Sequence, residues 1–357
     1  MGACAKCTVL PKPIKPDADL EPAAPVVELI CPDHRGGLTA GREPSAGDLL
    51  LCADGCRYSV VGGIPRFVAS QNYASGFGLQ WNAYRTTQLD SHTGTDISSD
   101  RLRRCLGGSF DPVVGKLVLE AGCGAGRFTE ILLREGAGVF ACDLSEAVEA
   151  NRANCGHHEN YFVCQADICR LPVADGSFDV VLCLGVVQHT PDPEATIAAL
   201  CRQVAPGGLL VFDHYTHGYP TTPSRARLRT LLLARSPATA MRICRVLVNG
   251  LWPLHRLVRG LSRLPGGHRL RRRFLHLSPV VDYHDAYPEL GPELLRAWAH
   301  LDTHDTLTDR HKHLRSAEQL GSTLREVGMV QIETEYNGNG VEVRARRPAA
   351  GDRGTSA

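Results

Sequence analysis

From residue 116 to residue 215 the chain alternates between short apolar runs and stretches in which apolar positions recur every three or four residues. The apolar runs are KLVLEAG (116–122), GAGVFACD (136–143), NYFVCQAD (160–167), FDVVLCLG (178–185) and GGLLVFDHY (207–215). Between them lie RFTEILLREG, SEAVEANRAN and PEATIAALCRQV, which carry helical periodicity. Strands that are apolar on both faces, separated by helices, predict βαβ units and an α/β fold with a doubly wound, mostly parallel sheet. Two further strand-like pieces, MVQIETEY (329–336) and GVEVRARR (340–347), predict a closing hairpin.

The flanks read differently. Residues 1–25 are rich in Pro and Ala and predict a flexible leader, as does the tail 348–357. Residues 26–70 form a unit punctuated by Cys and Gly, and residues 71–115 suggest short helices bearing aromatics. The remaining stretch, 116–347, is the main domain. No long charge-free apolar run predicts a transmembrane helix. The N-terminus has no apolar core of signal-peptide length, and the 14 Cys lie mostly within apolar runs; both favour a reduced, cytoplasmic setting.

Charge changes the picture. The formal net charge is +1, yet residues 214–281 hold 13 Arg and no Lys, Asp or Glu. The rest of the chain carries 26 basic against 38 acidic side chains. Apolar residues recur through this segment at helical spacing, so it predicts a basic, amphipathic helical insert. Its arginines suit an anionic membrane surface, a phosphorylated or lipid-linked acceptor, RNA, or acidic neighbours within the chain.

Glu120-Ala-Gly122-Cys123-Gly124-Ala-Gly126 follows a strand and opens a helix. Glycines at alternate positions let the backbone turn sharply and approach a ligand. Arg127 stands where a dinucleotide fingerprint wants a third glycine, which argues against NAD or FAD. Asp143 ends the second strand, where a carboxylate can accept both hydroxyls of a ribose, and Asp167-Ile168 ends the third. This ordered set resembles the class I S-adenosylmethionine-dependent methyltransferases. The resemblance implies a Rossmann-like fold with an antiparallel edge strand. It also implies that Glu120 and the 122–126 loop hold the methionine part of the cofactor, Asp143 the ribose, and Asp167 and Ile168 the adenine. Leu144, Leu184 and Gln188 complete the expected cofactor set.

Cys31 and His34 are separated by two residues, Cys52 and Cys56 by three, a pairing suited to one structural Zn²⁺. The following YSVVGGIPRFV resembles the end of the small zinc-ribbon subunit that activates tRNA and rRNA methyltransferases, although His34 stands where Cys is usual. A metal would staple a unit too small to hold itself. Cys4 and Cys7 form another pair, read as incidental.

Methyl transfer needs an aligned nucleophile and, for many acceptors, a base. His189, after the fourth strand, His214, after the fifth, and His304, in LDTHDTLTDRHKH, are the candidates. That run and FGLQWNAY resemble a bacterial methyltransferase subgroup, which implies that Phe77, Trp81 and Tyr84 cover the cofactor cleft. The expected function is methylation of oxygen or nitrogen on a small-molecule or glycan acceptor. RNA methylation and a non-catalytic scaffold are the alternatives. Against RNA stands the absence of an N/D-P-P-Y or cysteine-nucleophile motif.

Overall fold

The computed structural model describes residues 27–43, 47–69, 71–218, 221–338 and 340–351. The expected leader, with Cys4 and Cys7, and most of the tail lie outside these.

Residues 30–65 form a four-stranded antiparallel sheet in sequence order: β1 (Leu38–Glu43), β2 (Gly47–Cys52), β3 (Arg57–Val61) and β4 (Ile64–Pro65). Its core is small, being Cys31, Cys52 and Tyr58 with a few half-buried neighbours. Three helices follow, α1 (Ser75–Ala83), α2 (Asp90–Thr93) and α3 (Ile97–Cys105).

The main domain then alternates as its apolar pattern predicts. The elements are β5 (Leu117–Ala121), α4 (Thr129–Arg134), β6 (Gly138–Asp143), α5 (Ala147–Cys155), β7 (Tyr161–Gln165), β8 (Phe178–Cys183), α6 (Pro193–Gln203) and β9 (Val204–Tyr215). The sheet order is β10-β11-β9-β8-β5-β6-β7, with β10 (Val330–Asn337) and β11 (Gly340–Arg346) forming the antiparallel edge. Strands β5 to β9 pair in parallel. Because side chains alternate across each strand, both faces need cover, and two apolar clusters supply it. One contains Leu119, Phe140, Phe178 and Phe212; the other contains Val118, Val139, Val180 and Val211. The order reverses at β5, between β6 and β8, which opens a crevice at the carboxyl ends of the strands.

A helical cap separates β9 from the last layer, α11 (Ala317–Glu326), which opens on a capping box between Ser316 and Gln319. The cap comprises α7 (Pro223–Leu233), α8 (Pro237–Leu261), α9 (Gly267–Leu277) and α10 (Pro292–Thr308). Charge places the end of the insert at residue 281, but the folded unit extends beyond it. Trp298 and Leu295 of α10 share a buried cluster with Val248 and Trp252 of α8. The first acidic residue after the arginine segment, Asp282, belongs to that unit. Its carboxylate is 2.9 Å from Arg271 and 2.6 Å from His255, and all three side chains are nearly fully buried. At the other end, residues 214 and 215 belong to β9 rather than to the insert.

Candidate functional site

The crevice is a cavity of about 930 Å³ between the carboxyl ends of the parallel strands and the cap. Its floor is the loop after β5. Gly122 and Gly124 have φ of +80° and +50°, left-handed conformations that cost a side-chain-bearing residue about 1–2 kcal/mol. Space is restricted as well. A Cβ on Gly122 would lie 2.3 Å from Val186, and one on Gly124 would lie 3.2 Å from the Trp81 ring. The loop therefore presents bare backbone to the cavity.

Three carboxylates surround this loop. Glu120 is buried at the end of β5, and its Oε2 accepts from the Thr129 hydroxyl at 2.5 Å. Burial pushes its pKa up to about 8, against the lowering influence of the Thr129 hydrogen bond. Asp143, at the end of β6, accepts from the Gly124 N–H at 3.0 Å and from the backbone and hydroxyl of Ser145 at 2.8 and 2.7 Å. Its pKa is raised by burial against these bonds, which pull the other way. Asp167 caps the short turn after β7 by accepting from the Cys169 N–H.

Ten of the residues singled out by sequence line the cavity: Glu120, Gly122, Cys123, Gly124, Asp143, Leu144, Asp167, Ile168, Leu184 and His189. Four are not on its wall. Gly126 turns the chain behind the loop, where a Cβ would meet Cys155 Sγ at 3.0 Å. Gln188 and His214 are fully buried. The His214 Nδ1 is 2.7 Å from the Tyr215 carbonyl oxygen. His304 lies inside α10 with its Nδ1 2.6 Å from Gln80 Oε1, so it joins α10 to α1. Helical phase explains this last displacement: Asp302, Asp305 and Thr306 occupy the cavity-facing side of α10, and His304 does not. Of the three aromatics expected over the cleft, Phe77 and Trp81 line it, whereas Tyr84 stacks on His300 at 6.0 Å.

His189 is the one imidazole among the three candidates on the wall. Its Nδ1 is 3.1 Å from the His311 carbonyl oxygen and 3.6 Å from Asp309, and its ring lies between Phe77 and Tyr215. Burial lowers its pKa against the raising influence of Asp309, which favours the neutral imidazole. Asp305, which the sequence offers beside His304 in LDTHDTLTDRHKH as a pair to activate an alcohol, lines the cavity without His304; the sequence does not point to Asp302, Tyr283, Tyr287 and Trp298, which line it too. Burial pushes both carboxyls up to about 7. Sequence reading also missed Arg101 of α3, whose guanidinium is 2.5 Å from Asp213 on β9, while Asp213 accepts from the Gly185 N–H at 2.6 Å. The pre-segment thereby fixes the loop after β8. Asp213 is visible in GGLLVFDHY, but no spacing connects it with Arg101.

In the small sheet, all three predicted thiols lie near His34, but the ligand atoms fall in two overlapping groups, Cys31, His34 and Cys56 in one and His34, Cys52 and Asp54 in the other, the atoms of each lying within 4.8 Å of one another. His34 Nδ1 lies 3.7 Å from Cys31 Sγ, 3.6 Å from Cys52 Sγ and 3.5 Å from Cys56 Sγ. A tetrahedral zinc with Zn–S near 2.3 Å and Zn–N near 2.05 Å has an S···N edge of about 3.6 Å. The three edges at His34 fit, while Cys52 would have to move toward Cys31 and Cys56 to complete the tetrahedron. The His34 N–H also donates to Cys31 Sγ at 3.4 Å, the kind of contact that orients a thiolate ligand.

Comparison with known proteins bears on the main domain. Residues 119–212 match the sequence model of a family described as "Methyltransferase domain". Two curated relatives are ubiquinone biosynthesis O-methyltransferases. The one from Methylococcus capsulatus is 31% identical over 135 residues, 37% of this chain and 57% of its own length. The one from Acinetobacter baylyi is 36% identical over 140 residues, 38% of this chain and 51% of its own. The chain thus spans about half the length of the curated relatives it matches. Among solved structures, magnesium protoporphyrin IX methyltransferase from Synechocystis PCC 6803, with bound SAH, aligns over 77% of this chain and 96% of its own. The identity there is 16% and the TM-score 0.40. A glycine loop bared by left-handed backbone, the acid ending β6, the sheet order and the family match over 119–212 agree: the chain carries a class I, S-adenosylmethionine-dependent methyltransferase domain.

Proposed function

We propose that the protein transfers a methyl group from S-adenosylmethionine to a hydroxyl oxygen of a small, largely apolar acceptor. The observation that carries this is that the bare 122–124 loop, Asp143 and His189 line the same cavity as the aromatic side chains of Tyr283, Tyr287 and Trp298. Its volume lies near the top of the roughly 300–1,000 Å³ range of small-molecule sites, which suits a cofactor and an acceptor side by side. A site roofed by cap residues favours a small acceptor over RNA or a long glycan. The names of the relatives support oxygen over nitrogen as the methylated atom.

Bound S-adenosylmethionine supplies a methyl group already activated on a sulfonium. In the proposed arrangement Glu120 and the loop backbone hold its amino-acid end, Asp143 accepts from the ribose hydroxyls, and Asp167 and Ile168 flank the adenine. Leu144 and Leu184 add apolar wall, and Gln188 contributes from behind it. His189 takes the acceptor proton on Nε2 while the His311 carbonyl holds Nδ1–H, and the cap excludes water. The zinc-ribbon-like sheet binds one structural Zn²⁺ through Cys31, His34, Cys52 and Cys56, and four protein ligands leave no open position for chemistry.

Calorimetry with S-adenosylhomocysteine tests the cofactor half, and no binding at millimolar ligand sinks the reading. Labelled-methyl transfer to a panel of phenols and apolar alcohols tests the acceptor half. His189→Ala should lower kcat by about 10²–10⁴-fold while leaving cofactor binding intact; an unchanged kcat removes His189 as the base.

A further inference from the structure

The cap turns a second face outward, one that the cavity does not use. Among the described residues, fifteen large apolar side chains are exposed, and nine of them fall between residues 231 and 277. On α8, Ile243, Val246, Leu254 and Leu257 recur at helical spacing on the side away from the buried row Cys244, Val248, Trp252 and Val258. Val246 and Leu277 are each 69% exposed, and Leu231 of α7 is 62% exposed. On α9, Leu270 and Leu277 are exposed while Arg271 is buried. The three helices therefore carry two apolar sides, and only one of them is covered.

The arginines divide in the same way. Arg229, Arg259 and Arg271 pair with Asp309, Asp285 and Asp282, Arg225 donates to the Pro279 and Val280 carbonyls, and Arg245 reaches Tyr84. The other eight, among them Arg242, Arg256, Arg269, Arg272 and Arg273, have no carboxylate at ion-pair distance among the described residues. These five are all exposed. No acidic side chain occurs from residue 214 to 281 to neutralise them. An exposed apolar row beside unneutralised guanidinium groups complements a bilayer surface, with acyl chains below and anionic headgroups around. No helix among the described residues is long and apolar enough to cross a membrane, so such contact is interfacial.

We infer that the outward face of α7–α9 docks the protein on an anionic lipid bilayer, with the α8 and α9 leucines in the interface and the free arginines on lipid phosphates. This stands apart from the methyl-transfer reading, since it uses no residue of the cavity floor. Flotation of the full chain with vesicles tests it, comparing pure phosphatidylcholine with a mixture in which about one lipid in three is phosphatidylglycerol. The expected result is binding to the anionic vesicles only, weakened by salt. Each arginine near the surface contributes about fivefold in affinity, so Arg269→Gln/Arg272→Gln/Arg273→Gln should lose roughly a hundredfold. Val246→Asn/Leu257→Asn should lose binding with its circular dichroism unchanged. Absence of flotation, equal binding to neutral vesicles, retention of RNA in its place, or a dimer that buries this face would each overturn the inference. Calorimetry with S-adenosylhomocysteine on the same variants should match the unmodified chain, separating this outcome from failure of the methyltransferase reading.

Discussion

Replacing Gly122 with alanine tests the cavity floor directly, because two costs act at one atom. The backbone there has φ of +80°, which costs an alanine about 1–2 kcal/mol. The new methyl would also lie 2.3 Å from Val186 Cγ2, 2.9 Å from Cγ1 and 3.1 Å from Cβ. Rotating Val186 exchanges one crowding methyl for the other, so the backbone or the loop after β8 must move. Overpacking of this kind costs about 1–3 kcal/mol, giving a total of about 2–5 kcal/mol. The two parts separate in a second background. With Val186→Ala present, the γ-methyls are gone, and Gly122→Ala should cost only its backbone share. Urea unfolding of the four proteins forms a double-mutant cycle with an expected coupling of about 1–3 kcal/mol. S-adenosylhomocysteine calorimetry on the same set should show the affinity loss of the single mutant partly restored in the double. If Gly122→Ala costs the same in both backgrounds, the loop does not pack on Val186 as described. If it costs less than about 0.5 kcal/mol in either, the left-handed turn is absent.

Three other outcomes are expected. Asp143→Ala should weaken S-adenosylhomocysteine by roughly 10²–10³-fold, since two charge-assisted hydrogen bonds vanish; unchanged affinity in calorimetry refutes the ribose role. Glu120 has a folded pKa of about 8 against an ordinary 4.5, so the unfolded chain ionises it first and its presence destabilises the fold increasingly as pH rises from about 4.5 to 8. Glu120→Gln should therefore gain stability over the parent on the order of a few kcal/mol at pH 8, with little gain at pH 4, while losing cofactor affinity; a gain independent of pH refutes this burial argument. For the metal, elemental analysis should find about one zinc per chain, lost in Cys52→Ser, and a metal-free protein with an intact small sheet would overturn the site.

The strands were readable because β5 to β9 are buried on both faces and so are written as unbroken apolar runs. The glycine loop and Asp143 were readable because strand order fixes where they fall. Long-range side-chain geometry was not. His304 and Asp302 are two residues apart on α10, and only helical phase relative to a distant cavity separates a tether to Gln80 from a wall residue. The cap boundary was missed for an electrostatic reason: Asp282 ends the arginine run because it is the counter-charge of Arg271, so a change of sign in the sequence marked a contact rather than a border. The pairing of Arg101 with Asp213 spans 112 residues and leaves no periodic trace.

The small N-terminal sheet matters for more than any metal it holds. Beyond β4 the chain runs alongside β7: the Phe67 N–H donates to the Gln165 carbonyl oxygen at 2.8 Å, and Arg66 and Gln165 form a parallel bridge. Arg35 and Ile30 hold the neighbouring loop through the carbonyl oxygens of Leu171, Val173 and Pro172. β7 would otherwise end the seven-stranded sheet as an unprotected, mostly apolar strand, a template for pairing with another molecule. Unfolding the ribbon would uncover that template while leaving the cavity floor, built on β5 and β6, in place. Loss of the ribbon should therefore appear first as self-association of an otherwise competent domain, and only later as loss of chemistry.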